Sequence, residues 1–124
     1  MNNKVKLVIW GREFEINIVF QNFPGEEVTS NQEKVIGTLS TFDFETTLRP
    51  LKEYIMKYNA EDVGCSEITN IFKYVIPKSV LIPREKEKRV VALMCNYKFD
   101  MEHGLAIVFE NEQFKTVGPQ DIIL

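Results

Sequence analysis

The period of the hydrophobic pattern changes twice along this chain, which constrains the fold more than any single motif does. Val5, Leu7 and Ile9 alternate with Lys4 and Lys6, a repeat of two that marks a half-buried strand. After Gly11-Arg12, Phe14, Ile16, Ile18 and Phe20 alternate with Glu13, Glu15 and Asn17. Two alternating runs split by a glycine-containing pair read as a β-hairpin, and Pro24-Gly25 supplies a turn that ends its second strand.

The middle third shifts to helical spacing. Ser30 and Glu33 stand as a capping box, with Val35, Ile36, Leu39 and Phe42 on one face of the helix that follows. A second helix is expected from Phe44 to Tyr58, with Leu48, Leu51, Ile55 and Tyr58 as its stripe, and Pro50 either delays or kinks it. Gly64 is a natural stop. A short third helix is expected from Ser66 through Ile68, Ile71, Phe72 and Val75, closed by Pro77.

The final third returns to strands. Ser79 to Ile82 lies between Pro77 and Pro83, and flanking prolines favour an edge position. Val90 to Tyr97 is apolar on both alternating faces, the mark of an inner strand. Leu105 to Phe109 and Gln113 to Val117 follow, joined by Asn111-Glu112. The expected fold is therefore α+β: an antiparallel sheet from an N-terminal hairpin and C-terminal strands, with about three helices in the middle packed on one face. With 124 residues and 44% hydrophobic side chains, residues 1–124 read as a single domain with one core.

Composition narrows the function classes. Fifteen Lys and Arg against 18 Asp and Glu give a net charge of -3, which argues against a strongly basic nucleic-acid binder. No unbroken apolar stretch approaches the ~20 residues needed to span a bilayer, and no apolar leader follows Met1, so neither membrane nor secretion is expected. Cys65 and Cys95 are too few for a disulfide framework, and with one histidine they do not complete a zinc set, which points to a reducing cytoplasm. The six glycines are scattered singly and make no phosphate-cradling loop, so no cofactor is expected.

The densest functional-type cluster is Asp100-Met101-Glu102-His103-Gly104. Its plainest reading is a hairpin turn in which Asp100 or His103 bonds backbone amides and Gly104 supplies a positive φ. A partner contact, or acid–base and metal chemistry by His103 with Asp100 or Glu102, are the alternatives. Trp10, with Val8 and Val19, falls on the hairpin face opposite Leu7, Ile9, Phe14 and Ile16; its plainest reading is packing under the helices or a loop, and the alternative is an uncovered aromatic suited to a protein interface. Glu26 and Glu27, with Glu33, Asp43 and Glu45, form an acidic segment whose plainest reading is a solvated helix face and whose alternative is a patch for a basic partner. Cys95 reads as buried and inert, and Cys65 precedes the expected third helix without a basic neighbour in sequence.

Two stretches carry a resemblance: Asp100 to Phe109, preceded by Cys95 and Tyr97, and Val117 to Leu124. They resemble a bacterial family of uncharacterised domains with an Asp-x-Glu-His-Gly-hydrophobic segment and a terminal Gly-x-x-Asp-Ile segment. Phe99 and Met101 stand where that pattern commonly has Trp and Pro. The resemblance implies a small α+β domain of the kind encoded near polymorphic toxin systems, where small acidic proteins bind and neutralise a toxin. The leading expectation is thus a cytoplasmic, non-enzymatic protein-binding domain with a toxin as partner. A small hydrolase or metal-dependent enzyme built on His103 with Asp100 or Glu102, and an oligomerisation module built on the face around Trp10, are the alternatives.

Overall fold

A computed structural model describes residues 4–21, 27, 30–84 and 88–123. Its strands are β1 (Lys4–Ile9), β2 (Arg12–Gln21), β3 (Val75–Pro83), β4 (Val90–Tyr97), β5 (Leu105–Glu110) and β6 (Gln113–Gly118). They form a six-stranded sheet whose spatial order follows chain order. Four of the five pairings are antiparallel, but β2 and β3 run parallel, with Asn17 opposite Ser79 and Gln21 opposite Pro83. The sheet is therefore mixed, which corrects the antiparallel expectation. A parallel pair needs a long crossover, and the helical middle of the chain supplies it.

The described residues contain two α-helices, α1 (Ser30–Thr38) and α2 (Leu48–Val63), rather than three. Short 3-10 turns over Leu39–Thr41 and Phe44–Thr47 connect them. Pro50 is the third residue of α2, within the first turn, where a missing N–H costs no intrahelical bond. The expected helix from Ser66 does not form: only Ile71–Lys73 makes a 3-10 turn, and Val75 already opens β3. Ile68, Ile71 and Val75 are nonetheless buried in the core, so their helix-like spacing reflects packing by an irregular segment.

Nor is the proline-flanked strand an edge, since β3 has β2 on one side and β4 on the other. Each proline lies where β3 is paired on one side only: β2 pairs with Ser79–Pro83, and the register with β4 ends at Leu81. Pro77 lies in the half of β3 bonded to β4 alone, next to a register shift between Pro77 and Ser79. There its missing N–H interrupts no second ladder.

One face of the sheet carries Leu7, Ile9, Ile16, Val80, Ile82, Val91, Leu93, Leu105, Ile107 and Phe109, packed in one cluster with Val35, Leu39, Phe44, Leu51 and Ile55 from the helical segment. On the other face Leu81, Val90, Ala92, Met94, Ala106 and Val108 make a smaller cluster against Ile123. Residues of β4 and β5 are thus buried on both faces, which is why these strands read as continuous apolar runs.

The hairpin turn at Trp10-Gly11 has φ of 53° and 81°, the doubly positive geometry of a type I′ turn. Trp10 is 7% exposed and does not stand on the outer face with Val8 and Val19. Its indole Nε1 donates to Thr47 Oγ1 at 2.9 Å, and the Thr47 hydroxyl donates onward to the Phe44 carbonyl at 2.6 Å. The ring also packs against Phe72 at 5.9 Å between centroids. Trp10 thus packs inward, the plainer of its two readings, and Val8 and Val19 are the exposed apolar residues of that face, at 62% and 45%.

Candidate functional site

Asp100 to Gly104 forms the connection between β4 and β5, and its geometry follows from its side chains. Asp100 Oδ1 accepts from the His103 backbone N–H at 3.1 Å, and the Gly104 N–H donates to the Asp100 carbonyl at 2.9 Å. His103 Nδ1 lies 3.0 and 3.1 Å from the two carboxylate oxygens of the same aspartate. Gly104 adopts φ of 61°, and a Cβ there would fall 2.7 Å from both the Cys95 carbonyl oxygen and the Gln120 side chain. Glycine is required on both counts. The turn is clamped to the C-terminal segment by Gln120, whose backbone N–H donates to the His103 carbonyl at 3.2 Å and whose Nε2 donates to the Cys95 carbonyl at 3.2 Å.

Beside this turn, a groove of about 560 Å³ opens between α2, the 98–104 connection and the end of β6. Tyr54, Tyr58 and Asn59 line it from α2, Tyr97, Phe99, Asp100 and Gly104 from the turn, and Val117 to Pro119 with Ile122 from the C-terminal side. Tyr54 and Tyr58 are one helical turn apart, so both rings project from the same flank of α2, with centroids 4.8 Å apart. Tyr97 and Phe99 meet edge to face at 5.6 Å. Tyr97 is buried at 2% exposure, whereas Tyr58 is 61% exposed and does not join the core stripe of Leu51 and Ile55.

A polar relay runs across the groove. Tyr97 Oη donates to Asn59 Oδ1 at 2.7 Å, and Asn59 Nδ2 donates to Asp62 Oδ2 at 2.9 Å. Helical geometry lapses at Asn59 (φ -134°, ψ 27°), the residue whose side chain makes both bonds.

Burial and local hydrogen bonds shift the titratable groups around the groove. Burial pushes the Tyr97 phenol well above its ordinary range, with Tyr54, Asp62 and Asp100 adding to the effect. Tyr54 is also raised, by burial first and then by Tyr58 and Asp100. Asp100 is held below the usual carboxylate range, first by the His103 backbone N–H and then by its side chain. The Asp100 carboxylate in turn raises the His103 imidazole, with Glu102 and Asp121 contributing less.

The expected site residues separate in space. Asp100 lines the groove, and Glu102 and His103 share its turn with exposed side chains. His103 is not a lining residue, and among the described residues no three or more His, Cys, Asp or Glu side chains gather in a way that could hold a metal ion. Trp10 belongs to the core. Glu27 is exposed and accepts a bond from Arg84 Nη1 through its carbonyl at 2.6 Å, while Glu26 lies outside the described residues. Cys95 is fully buried, which raises its thiol far above the reactive range, and Cys65 is exposed.

None of Tyr54, Tyr58, Asn59, Tyr97 and Phe99 is among the expected site residues; the spacing puts Tyr58 in the core stripe of its helix, and Tyr97 and Phe99 enter within the resemblance. The i, i+4 tyrosine pair on a helix and the Tyr-x-Phe pair at the end of an inner strand are visible in the sequence, but only the tertiary fold brings them together. The stretches that carry the resemblance also converge here, since Asp100 and Gly104 face Val117, Gly118 and Pro119 across the groove.

No helix among the described residues is long and apolar enough to cross a membrane. No curated protein and no solved structure matches the chain. The profile of the family described as Domain of unknown function (DUF6985) matches residues 1–124, and with the whole chain covered the protein belongs to that family.

Proposed function

We propose that this protein is a non-enzymatic protein-binding domain that acts in the bacterial cytoplasm as an immunity protein, neutralising a toxin by direct binding. The observation that carries the reading is the aromatic groove, in which Tyr54, Tyr58, Tyr97 and Phe99 surround a surface rimmed by Asp100. Tyrosine rings offer large contact area at little entropic cost and are enriched where protein interfaces concentrate their energy. The net charge of -3 adds to it, since an acidic surface suits a toxin whose own cleft is positive. The exposed place of His103, bonded within its own turn, supports a positioning role for that residue over a catalytic one.

The test is co-expression of the full chain with the product of a toxin-like reading frame encoded beside it. Suppressed toxicity and a co-purifying complex are expected, and Tyr58→Ala should weaken that complex by about tenfold, as removal of a central tyrosine does. Undiminished toxicity with no complex would remove the immunity reading for that pair.

A further inference from the structure

We infer that the groove beside α2 receives an arginine side chain of a protein partner, its guanidinium stacked among Tyr54, Tyr58 and Phe99 and paired with the carboxylate of Asp100. This deepens the protein-binding reading and rests on it. Three observations single out this chemistry. Four aromatic residues stand in the lining, Tyr54, Tyr58, Tyr97 and Phe99, with ring pairs at 4.8 and 5.6 Å. Such rings present a negative face to a cation and a flat face to a planar one.

The charge that lines the groove is acidic. Asp100 lines it, and Asp62 reaches it through Asn59. Burial is the main cause that raises both tyrosines, but the carboxylates of Asp62 and Asp100 add to it at Tyr97, and Asp100 at Tyr54, and that smaller contribution is one that favours a cation. Lys57 does not line the groove.

Finally, one of these rings, that of Tyr58, already serves as a cation platform. Lys57 Nζ lies 5.2 Å from the Tyr58 ring centroid, and elsewhere Arg12 stacks on Phe72 at 4.2 Å. Arginine is favoured over lysine because its planar fork satisfies a carboxylate bidentately while stacking on an aromatic face. The Asp100 carboxylate offers both oxygens close to the rim, shared at 3.0 and 3.1 Å with the exposed His103 imidazole that an incoming fork would displace.

The experiment needs no toxin. The full chain, isotopically labelled, is titrated with N-acetyl-arginine amide, with the neutral isostere N-acetyl-citrulline amide and with N-acetyl-lysine amide, while backbone amides are followed by NMR. Saturable shifts at Asn59, Phe99 and Gly104 are expected with the arginine probe in the millimolar range, at least fivefold stronger than with lysine and absent with citrulline. Asp100→Asn keeps an acceptor for the His103 N–H, so the turn should persist, yet binding should fall about tenfold. Tyr58→Ala, at an exposed position, should do the same without risk to the fold. No saturable shift, an equal response to citrulline or lysine, or undiminished binding by both variants would overturn the inference. A bound arginine probe beside a failed co-expression test would leave this chemistry standing and remove only the immunity reading.

Discussion

The two hairpins β1–β2 and β4–β5 are built from the same pairing rules and live in different surroundings. In the first, apolar and polar residues alternate, one face is covered, and Val8 and Val19 remain exposed on the other. In the second, Val90 to Cys95 and Leu105 to Phe109 are buried without a break. Their turns differ in kind as well. Trp10-Gly11 is a two-residue type I′ turn whose glycine meets nothing within 4 Å, whereas the β4–β5 connection is wedged against Cys95 and Gln120. Alternation thus reports one covered face, and unbroken apolarity reports two, with residues near the C-terminus supplying the second cover through Ile123.

The sharpest test of this contrast lies in the inner pair. Leu93→Ala, at a position with 0% exposure, should cost about 2–5 kcal/mol by chemical denaturation, through lost transfer energy and an unfilled cavity. The next effect separates the turns. Gly104→Ala combines a positive φ with two overlaps and should cost about 2–4 kcal/mol, while Gly11→Ala suffers only the φ penalty and should cost about 1 kcal/mol. Equal losses at the two glycines would break the distinction. On the second face, Ile123→Ala should cost about 1 kcal/mol, because its cluster is smaller and Ile123 itself is only partly buried.

The Asp100–His103 pair adds a pH dependence within the inner hairpin's turn. His103 is raised in the fold, so its side-chain contribution is complete below the unfolded imidazole value and fades as pH rises through the folded one. Asp100 is lowered, so its share is present above the unfolded carboxylate value and fades as pH falls through the folded one. Both act together between about pH 4 and pH 6.5. His103→Ala should therefore lower Tm in that window, and its deficit against the parent should shrink as pH rises through the folded imidazole value. A deficit that stays constant to pH 9 would refute the ion-pair origin. Val8→Thr, on the open face of the outer hairpin, should change stability by less than about 0.5 kcal/mol.

Much of this architecture is legible in the residues. The N-terminal hairpin, the helix at Ser30 and the strands from Val90, Leu105 and Gln113 all follow from hydrophobic period and turn chemistry. Three features do not, each for a physical reason. Ile68, Ile71, Phe72 and Val75 space like a helix face, yet an irregular segment can bury residues at any spacing, and period alone cannot separate the two. Pro77 and Pro83 signal an edge only if both sides of the strand are paired along its whole length, and β3 is paired unevenly. Trp10 sits at a turn whose positive φ takes the strand alternation away, so parity misplaces its ring. The groove was half visible: the sequence pointed to Asp100, but its aromatic walls come from positions roughly forty residues apart, which no local pattern joins.

The parallel seam between β2 and β3 has a consequence for how the sheet assembles and parts. Every other pairing joins strands adjacent in the chain through short connections, so β3 to β6 can zip up as a local meander, and β1 with β2 as a separate one. Asn17 and Ser79 meet only after roughly sixty residues have been looped back, at the entropic cost that such closure carries. Amide protons of β2 that point across the seam therefore report on the association of the β1–β2 hairpin with the β3–β6 meander. Hydrogen exchange there measures the cohesion of the whole sheet, whereas exchange within either hairpin measures only its own.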